Sequence, residues 1–197
     1  MAHIDYFFFT LSPFTYLAGD GLEKIAEKRG ATITYKPMAL MKLFEATGGT
    51  PPAQRHVSRQ VYRLQELSRV AKMNEMPINP QPAHFPTNPA PSSYALIAAQ
   101  DSGGGDVGQY LRDILKAVWA EDKDVAEDDV VKAALLANGF DPALADSGLM
   151  KGAEVFEKNT EEAIQRNVFG SPSYVVGEQV FWGQDRLSYL DAYLAEL

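Results

Sequence analysis

Apolar and polar positions follow one rhythm at the two ends of the chain and another through its middle. Residues 3–10, "HIDYFFFT", are dense in aromatic and β-favouring side chains and predict a strand buried on both faces near its end. From Pro13 to Arg29 the apolar residues Phe14, Leu17, Leu22, Ile25 and Ala26 fall near helical spacing, and Gly30 supplies the stop. "ATITYKP" at 31–37 then alternates as a second strand. Strand, helix and strand within 36 residues predict a parallel βαβ unit with a right-handed crossover.

The rhythm then changes. "LFEATGGTPP" after Lys42 reads as a Gly/Pro-rich connection, and helical periodicity continues from there almost to residue 168. A helix over 53–73 places Val57, Val61, Leu64 and Ala71 on one side, and another over 106–121 carries an apolar face from Val107 to Trp119. Shorter helices are predicted over 92–101, 127–138 and 141–149, and a further one over 151–168. Between them, "PINPQPAHFPTNPAP" at 77–91 holds six of the twelve prolines and predicts a stiff extended wall. The strands return as "SYVV" and "QVFW" around Gly177-Glu178, a tight hairpin, followed by a closing helix from Gln184.

This order is an α/β fold with a thioredoxin-like core, βαβ…ββα, carrying a large all-helical insertion. The core is expected to comprise residues 1–43 and 165–197, and the insertion residues 44–164. In such a core the start of the first helix faces the loop before the hairpin. Ser12 stands at that helix start and Ser171-Pro172 in that loop. Ser12 reads first as an N-cap, with Pro13 at the first helical position.

Composition narrows the chemistry. A net charge of −8 argues against a nucleic-acid backbone as partner, and no window reaches the roughly 18 apolar residues of a membrane span. The N-terminus lacks a basic segment and cleavage site, so the cytoplasm is the expected compartment and small molecules the expected ligands. The chain has no cysteine, which excludes dithiol redox chemistry at Ser12-Pro13-Phe14-Thr15 and any protein thiolate. His3, His56 and His84 show no metal-ligand spacing, and no metal is expected. No G-x-S-x-G elbow accompanies Ser12.

With "LSPFTYLA" at 11–18, "YKPMALMKLFEATGGTPP" at 35–52, "HFPTNP" at 84–89, "VFGSPSYVV" at 168–176 and "FWGQDRL" at 181–187, the chain resembles the 2-hydroxychromene-2-carboxylate isomerases and kappa-class glutathione transferases, a DsbA-like branch of the thioredoxin fold. The resemblance implies a glutathione-dependent cis–trans isomerase of a ring-opened aromatic degradation product, and a homodimer. It implies that Ser12 approaches the glutathione sulfur, that Ser171, beside Pro172, bonds the tripeptide backbone, and that Gln184 and Asp185 hold the γ-glutamyl end. It also implies a mechanism in which thiolate adds to the double bond, the single bond rotates and thiolate leaves. A kappa-like transferase, or a non-redox binding protein or chaperone on the same fold, are the alternatives.

Residue chemistry fits that role. A helix N-terminus and a hydroxyl donor favour thiolate over thiol, so Ser12 would activate a borrowed sulfur without being a nucleophile. Phe14, Arg59 and Asn88 are candidate substrate-pocket residues, and Phe8, Tyr16, Phe44, Phe85 and Trp182 are aromatic residues for either pocket or core. Arg55, Arg59 and Arg63 recur every four residues. Such a stripe meets a substrate carboxylate or, more commonly, forms a solvated, ion-paired helix face. Gly48-Gly49 departs from the Gly-Asn of many family members, so the amide expected near the thiol is absent.

Overall fold

In the computed structural model, which describes residues 1–197, strand β1 (His3–Phe8) is the aromatic segment at the N-terminus. Strand β2 (Thr32–Pro37) runs parallel to it in a register from His3 opposite Thr32 to Phe8 opposite Pro37. Strands β3 (Ser173–Val176) and β4 (Gln179–Trp182) form the expected hairpin, turning at Gly177 with a φ of +57°. β3 lies antiparallel to β1, which gives the sheet order β2-β1-β3-β4.

Period-two alternation along β1 divides the core between the two faces of the sheet. Ile4, Tyr6 and Phe8 enter the larger cluster, together with Tyr174 and the helical residues Tyr110 and Trp119. Phe7 points the other way, into a smaller cluster with Met38, Leu43 and Val175. Phe7 and Phe8 are both fully buried, so truncating either to alanine is expected to cost about 3–5 kcal/mol.

Two helices replace the single one predicted over 13–29. α1 (Pro13–Leu17) and α2 (Gly21–Arg29) are separated at Gly19, whose φ of +59° ends the first turn pair. A second difference lies after β2. Residues 43–47, expected as the start of a connection, belong instead to α3 (Leu40–Thr47), which buries Leu43 and Phe44 and stops at Gly48 in the left-handed region.

A 3₁₀ turn (Pro52–Gln54) leads into α4 (Val57–Met73). Of the four residues expected on its inward face only Ala71 is buried, beside Leu67, which lies outside that set; Val57, Val61 and Leu64 are 64%, 49% and 37% exposed. The first turns of α4 overhang a cleft, and only its second half is seated on the core. α5 (Ala90–Ser102), α6 (Val107–Trp119), α7 (Asp128–Ala137), α8 (Leu144–Ser147), α9 (Leu149–Gln165) and α10 (Leu187–Leu194) occupy the predicted helical stretches with boundaries shifted by one to a few residues. None is long and apolar enough to cross a membrane.

The proline-rich segment lies against the helices as a wall. Tyr16 donates to the Pro77 carbonyl at 2.6 Å, the Asn79 amide donates to the Trp119 carbonyl at 2.6 Å, and the Phe85 ring packs 4.9 Å from that of Trp119. The Phe85-Pro86 peptide is cis.

Candidate active site

β1 ends at Phe8 and the chain turns, Ser12 N–H donating to the Phe9 carbonyl at 2.9 Å. The turn is pinned from below by buried hydroxyls: Thr10 Oγ1 lies 3.0 Å from Ser93 Oγ on α5. Ser12 leaves it in an extended conformation and its Oγ accepts the Thr15 N–H at 3.2 Å, the N-cap predicted from the sequence. The same hydroxyl donates to the Ser171 carbonyl at 3.4 Å.

The Ser171-Pro172 peptide is cis. Ser171 Oγ accepts the Phe9 N–H at 2.9 Å and lies 2.9 Å from Thr15 Oγ1, so three segments meet at one side chain. The Ser171 N–H donates to no other group of the chain. Pro172 stands behind the site, where its carbonyl accepts the Gly183 N–H at 2.9 Å and fixes the loop carrying Gln184 and Asp185.

Two adjoining clefts open over these residues. The first, about 590 Å³, has Ser12, Pro13 and Ser171 at its base and Phe14, Phe44 and Trp182 among its walls. The second, about 470 Å³, shares Phe14, Ser171 and Trp182 and runs to Gln184 and Asp185. Of the predicted site residues, Ser12, Ser171, Gln184, Asp185, Phe14 and Arg59 line this space. Asn88 does not. Its Oδ1 accepts the Ala90 N–H at 3.0 Å, making it a turn residue of the proline wall.

The aromatic candidates divide likewise. Phe14, Phe44 and Trp182 face the cleft, whereas Phe8, Tyr16 and Phe85 belong to the core. Phe169 is a wall residue that the sequence reading passed over; its ring meets Trp182 edge-on with centroids 4.9 Å apart. Thr15, named in the Ser12-Pro13-Phe14-Thr15 tetrad, gains a role there as the partner of Ser171, and both residues lie inside the segments "LSPFTYLA" and "VFGSPSYVV" that mark the site. Leu40 and Met41 of the unpredicted α3 complete the wall.

Electrostatics correct one expectation. The stripe of Arg55, Arg59 and Arg63 was read foremost as an ion-paired face, but none of the three has a carboxylate partner and all three line both clefts. Arg55 instead donates from Nε to the Thr50 carbonyl at 2.7 Å and lies over the Phe44 ring. Asp185 is flanked by Arg186 at 3.5 Å.

Gly49 closes the first cleft for a steric reason. A Cβ there would fall 2.3 Å from Phe44 Cδ1, and the Gly49 N–H donates to the Phe44 carbonyl at 2.9 Å. The Phe44 ring thus occupies the space that a side chain at 49 needs. Taken together, the site offers one hydroxyl at a helix start, an unpaired amide beside it, aromatic walls and a cationic rim. It holds no base positioned to make Ser12 a nucleophile. Such a site can bind an extended peptide, stabilise a sulfur anion and stack an aryl group.

A model of the DSBA-like thioredoxin domain matches residues 3–195. The 2-hydroxychromene-2-carboxylate isomerase of Pseudomonas putida is 30% identical over 199 residues, spanning 98% of this chain and 95% of that protein. Glutathione S-transferase kappa 1 of Caenorhabditis elegans is 24% identical over 200 residues, spanning 94% and 88%. A solved structure of 2-hydroxychromene-2-carboxylate isomerase is similar with a TM-score of 0.79 at 27% identity, covering 98% of this chain and 95% of its own. By this match and these relatives the chain belongs to the DSBA-like thioredoxin domain family and, within it, to the enzymes related to 2-hydroxychromene-2-carboxylate isomerase.

Proposed function

We propose that the protein is a glutathione-dependent cis–trans isomerase of a ring-opened aryl α-keto acid. The observation that carries this reading is the pairing of Ser12 Oγ with the Ser171 carbonyl at 3.4 Å at the base of an aromatic-walled cleft, in a chain without cysteine. The sulfur must therefore come from a ligand. The 3.4 Å contact is long for a hydroxyl donor, so turning that proton toward a thiolate gives up little.

In this reading the Ser171 N–H and carbonyl pair with the cysteinyl unit of glutathione, and Gln184 and Asp185 take its γ-glutamyl end. The thiolate adds to the conjugated alkene carbon, and the alkene electron pair moves into an enolate of the α-keto acid. The former double bond rotates as a single bond. The enolate then returns its electron pair, re-forming the double bond and expelling thiolate, with no net consumption of glutathione. The chain supplies orientation by Phe14 and Trp182, and hydrogen bonding to sulfur by Ser12. Arg59 is the candidate for the substrate carboxylate.

A kappa-like transferase is the second reading, favoured by the C. elegans relative. It differs in retaining the carbon–sulfur bond. The cytoplasm is the proposed compartment, where glutathione is kept reduced. A homodimer is proposed as well; the exposed Val57, Val61 and Tyr62 on α4 are surface that a second copy would cover.

The test is calorimetric titration with reduced glutathione of the wild type, Ser12→Ala and Asp185→Ala, followed by absorbance-monitored isomerisation of 2-hydroxychromene-2-carboxylate. Saturable binding, weakened about tenfold by Asp185→Ala, together with turnover at constant glutathione, is the expected result. Stoichiometric loss of the free thiol would favour the transferase, and no binding at millimolar glutathione would overturn the cofactor assignment.

A further inference from the structure

Arg55, Arg59, Arg63 and Lys72 are the only lysines or arginines of the chain without an ion-paired carboxylate. This is unexpected in a chain with 26 acidic residues and a net charge of −8. Lys72 lies in the last turn of α4, away from the clefts, whereas the three arginines share the cleft wall. The side chains of Arg59 and Arg63 donate to nothing in the chain, and Arg55 uses only its Nε, on the Thr50 carbonyl.

The acidic groups that share the second cleft with these arginines are already engaged. Glu66 is held by Arg69 at 2.8 Å, and Asp185 stands beside Arg186 at 3.5 Å. Burial, and then the positive charge of Arg59, lowers the pKa of Arg55; burial, and then Arg55, lowers that of Arg63. Three guanidiniums close enough to repel one another, and left without counter-charge, form a wall that an anion stabilises.

A carboxylate is satisfied by one guanidinium in the bidentate arrangement. If the glycyl carboxylate of glutathione and the α-keto acid carboxylate of the substrate each take one of the three arginines, one guanidinium is left without an anion. We propose that the substrate carries a second anionic group, a carboxylate or sulfonate on its aryl ring, which sits on the guanidinium left over in the Arg55, Arg59 and Arg63 wall while the ring stacks between Phe14 and Trp182. The inference deepens the isomerase reading and rests on it for the α-keto acid, but the anion wall can be tested without turnover.

The experiment is calorimetric titration of the full chain with benzoate and with isophthalate, each with and without saturating glutathione. Isophthalate is expected to bind about tenfold more tightly than benzoate, in both conditions. Arg55→Gln and Arg63→Gln are each expected to reduce that preference, and Arg63→Lys, which keeps the charge, to retain part of it. Equal affinities, or no heat from either probe, would overturn the proposal. Displacement of isophthalate by glutathione would overturn it too, because the arginines would then serve the glycyl end alone. A preference for isophthalate in a protein that binds no glutathione would keep the anion wall and remove the cofactor reading, so the two ideas fail separately.

Discussion

The Oγ atom of Ser12 stands 3.2 Å from the amide nitrogen of Thr15 and 3.4 Å from the carbonyl oxygen of Ser171, so one hydroxyl both caps α1 and reaches the loop before β3. Ser12→Ala removes both contacts. Loss of the cap is expected to cost about 1 kcal/mol of stability, read as a fall in Tm. If the hydroxyl also supports a thiolate, kcat for isomerisation falls by roughly 10–100-fold, while glutathione Kd changes much less. A variant with unchanged kcat would leave Ser12 a structural cap.

Ser171→Ala tests the opposite side of the site. Its hydroxyl is the acceptor for the Phe9 N–H at 2.9 Å, and that amide is left without a partner when the oxygen is removed. Urea unfolding is expected to show a loss of about 1–3 kcal/mol. Thr15→Val, which deletes the other contact at 2.9 Å, is expected to add less than its own single effect in the double variant, because both act through the same oxygen.

Gly170→Ala probes the aromatic lip. A Cβ there would fall 2.2 Å from Trp182 Nε1, so the indole must move. Trp119 is fully buried and Trp182 is half exposed. The expected result is a shift in the solvent-accessible tryptophan emission and in its quenching by acrylamide, with a lower affinity for aryl ligands and little change in far-UV circular dichroism.

Asp191 gives a pH dependence. Hydrogen bonds from Arg29 at 2.6 Å and Lys28 at 2.7 Å, tying α10 to α2, hold its carboxyl at about 2. An unfolded aspartate titrates near 3.9. The carboxylate therefore contributes stability above about pH 4, and that contribution is lost as pH falls toward about 2. The difference in urea midpoint between the wild type and Asp191→Asn is expected to be constant from pH 7 to pH 5 and to shrink below pH 4. A difference that persists undiminished near pH 2 would show that the carboxylate charge is not its source.

Where a segment's own chemistry decides its conformation, it was legible in the sequence. The aromatic strand β1, the alternating β2, the Gly177 hairpin and the Ser12 cap with Pro13 all depend on neighbours within a few residues. The break between α1 and α2 was less visible because one αL glycine, Gly19, interrupts an otherwise continuous apolar stripe. α3 was missed because Gly48, Gly49 and the following prolines dominate its window, although only Leu43 and Phe44 are needed to seat it. Tertiary placement was the real limit. Periodicity gives Val57, Val61 and Leu64 a common face but not what lies opposite it, and here that is solvent. The same limit hid the fate of the arginine stripe and set Asn88 in a wall instead of the site.

The packing of Phe44 against Gly49 makes positions 44 and 49 a single heritable unit. An asparagine introduced at 49 alone meets the ring, and a smaller residue introduced at 44 alone leaves a hole beside the first cleft. A side chain at 49 therefore requires the Phe44 ring to move or residue 44 to change with it. The shape of the cleft above Ser12 thus belongs to the pair of positions and to neither alone.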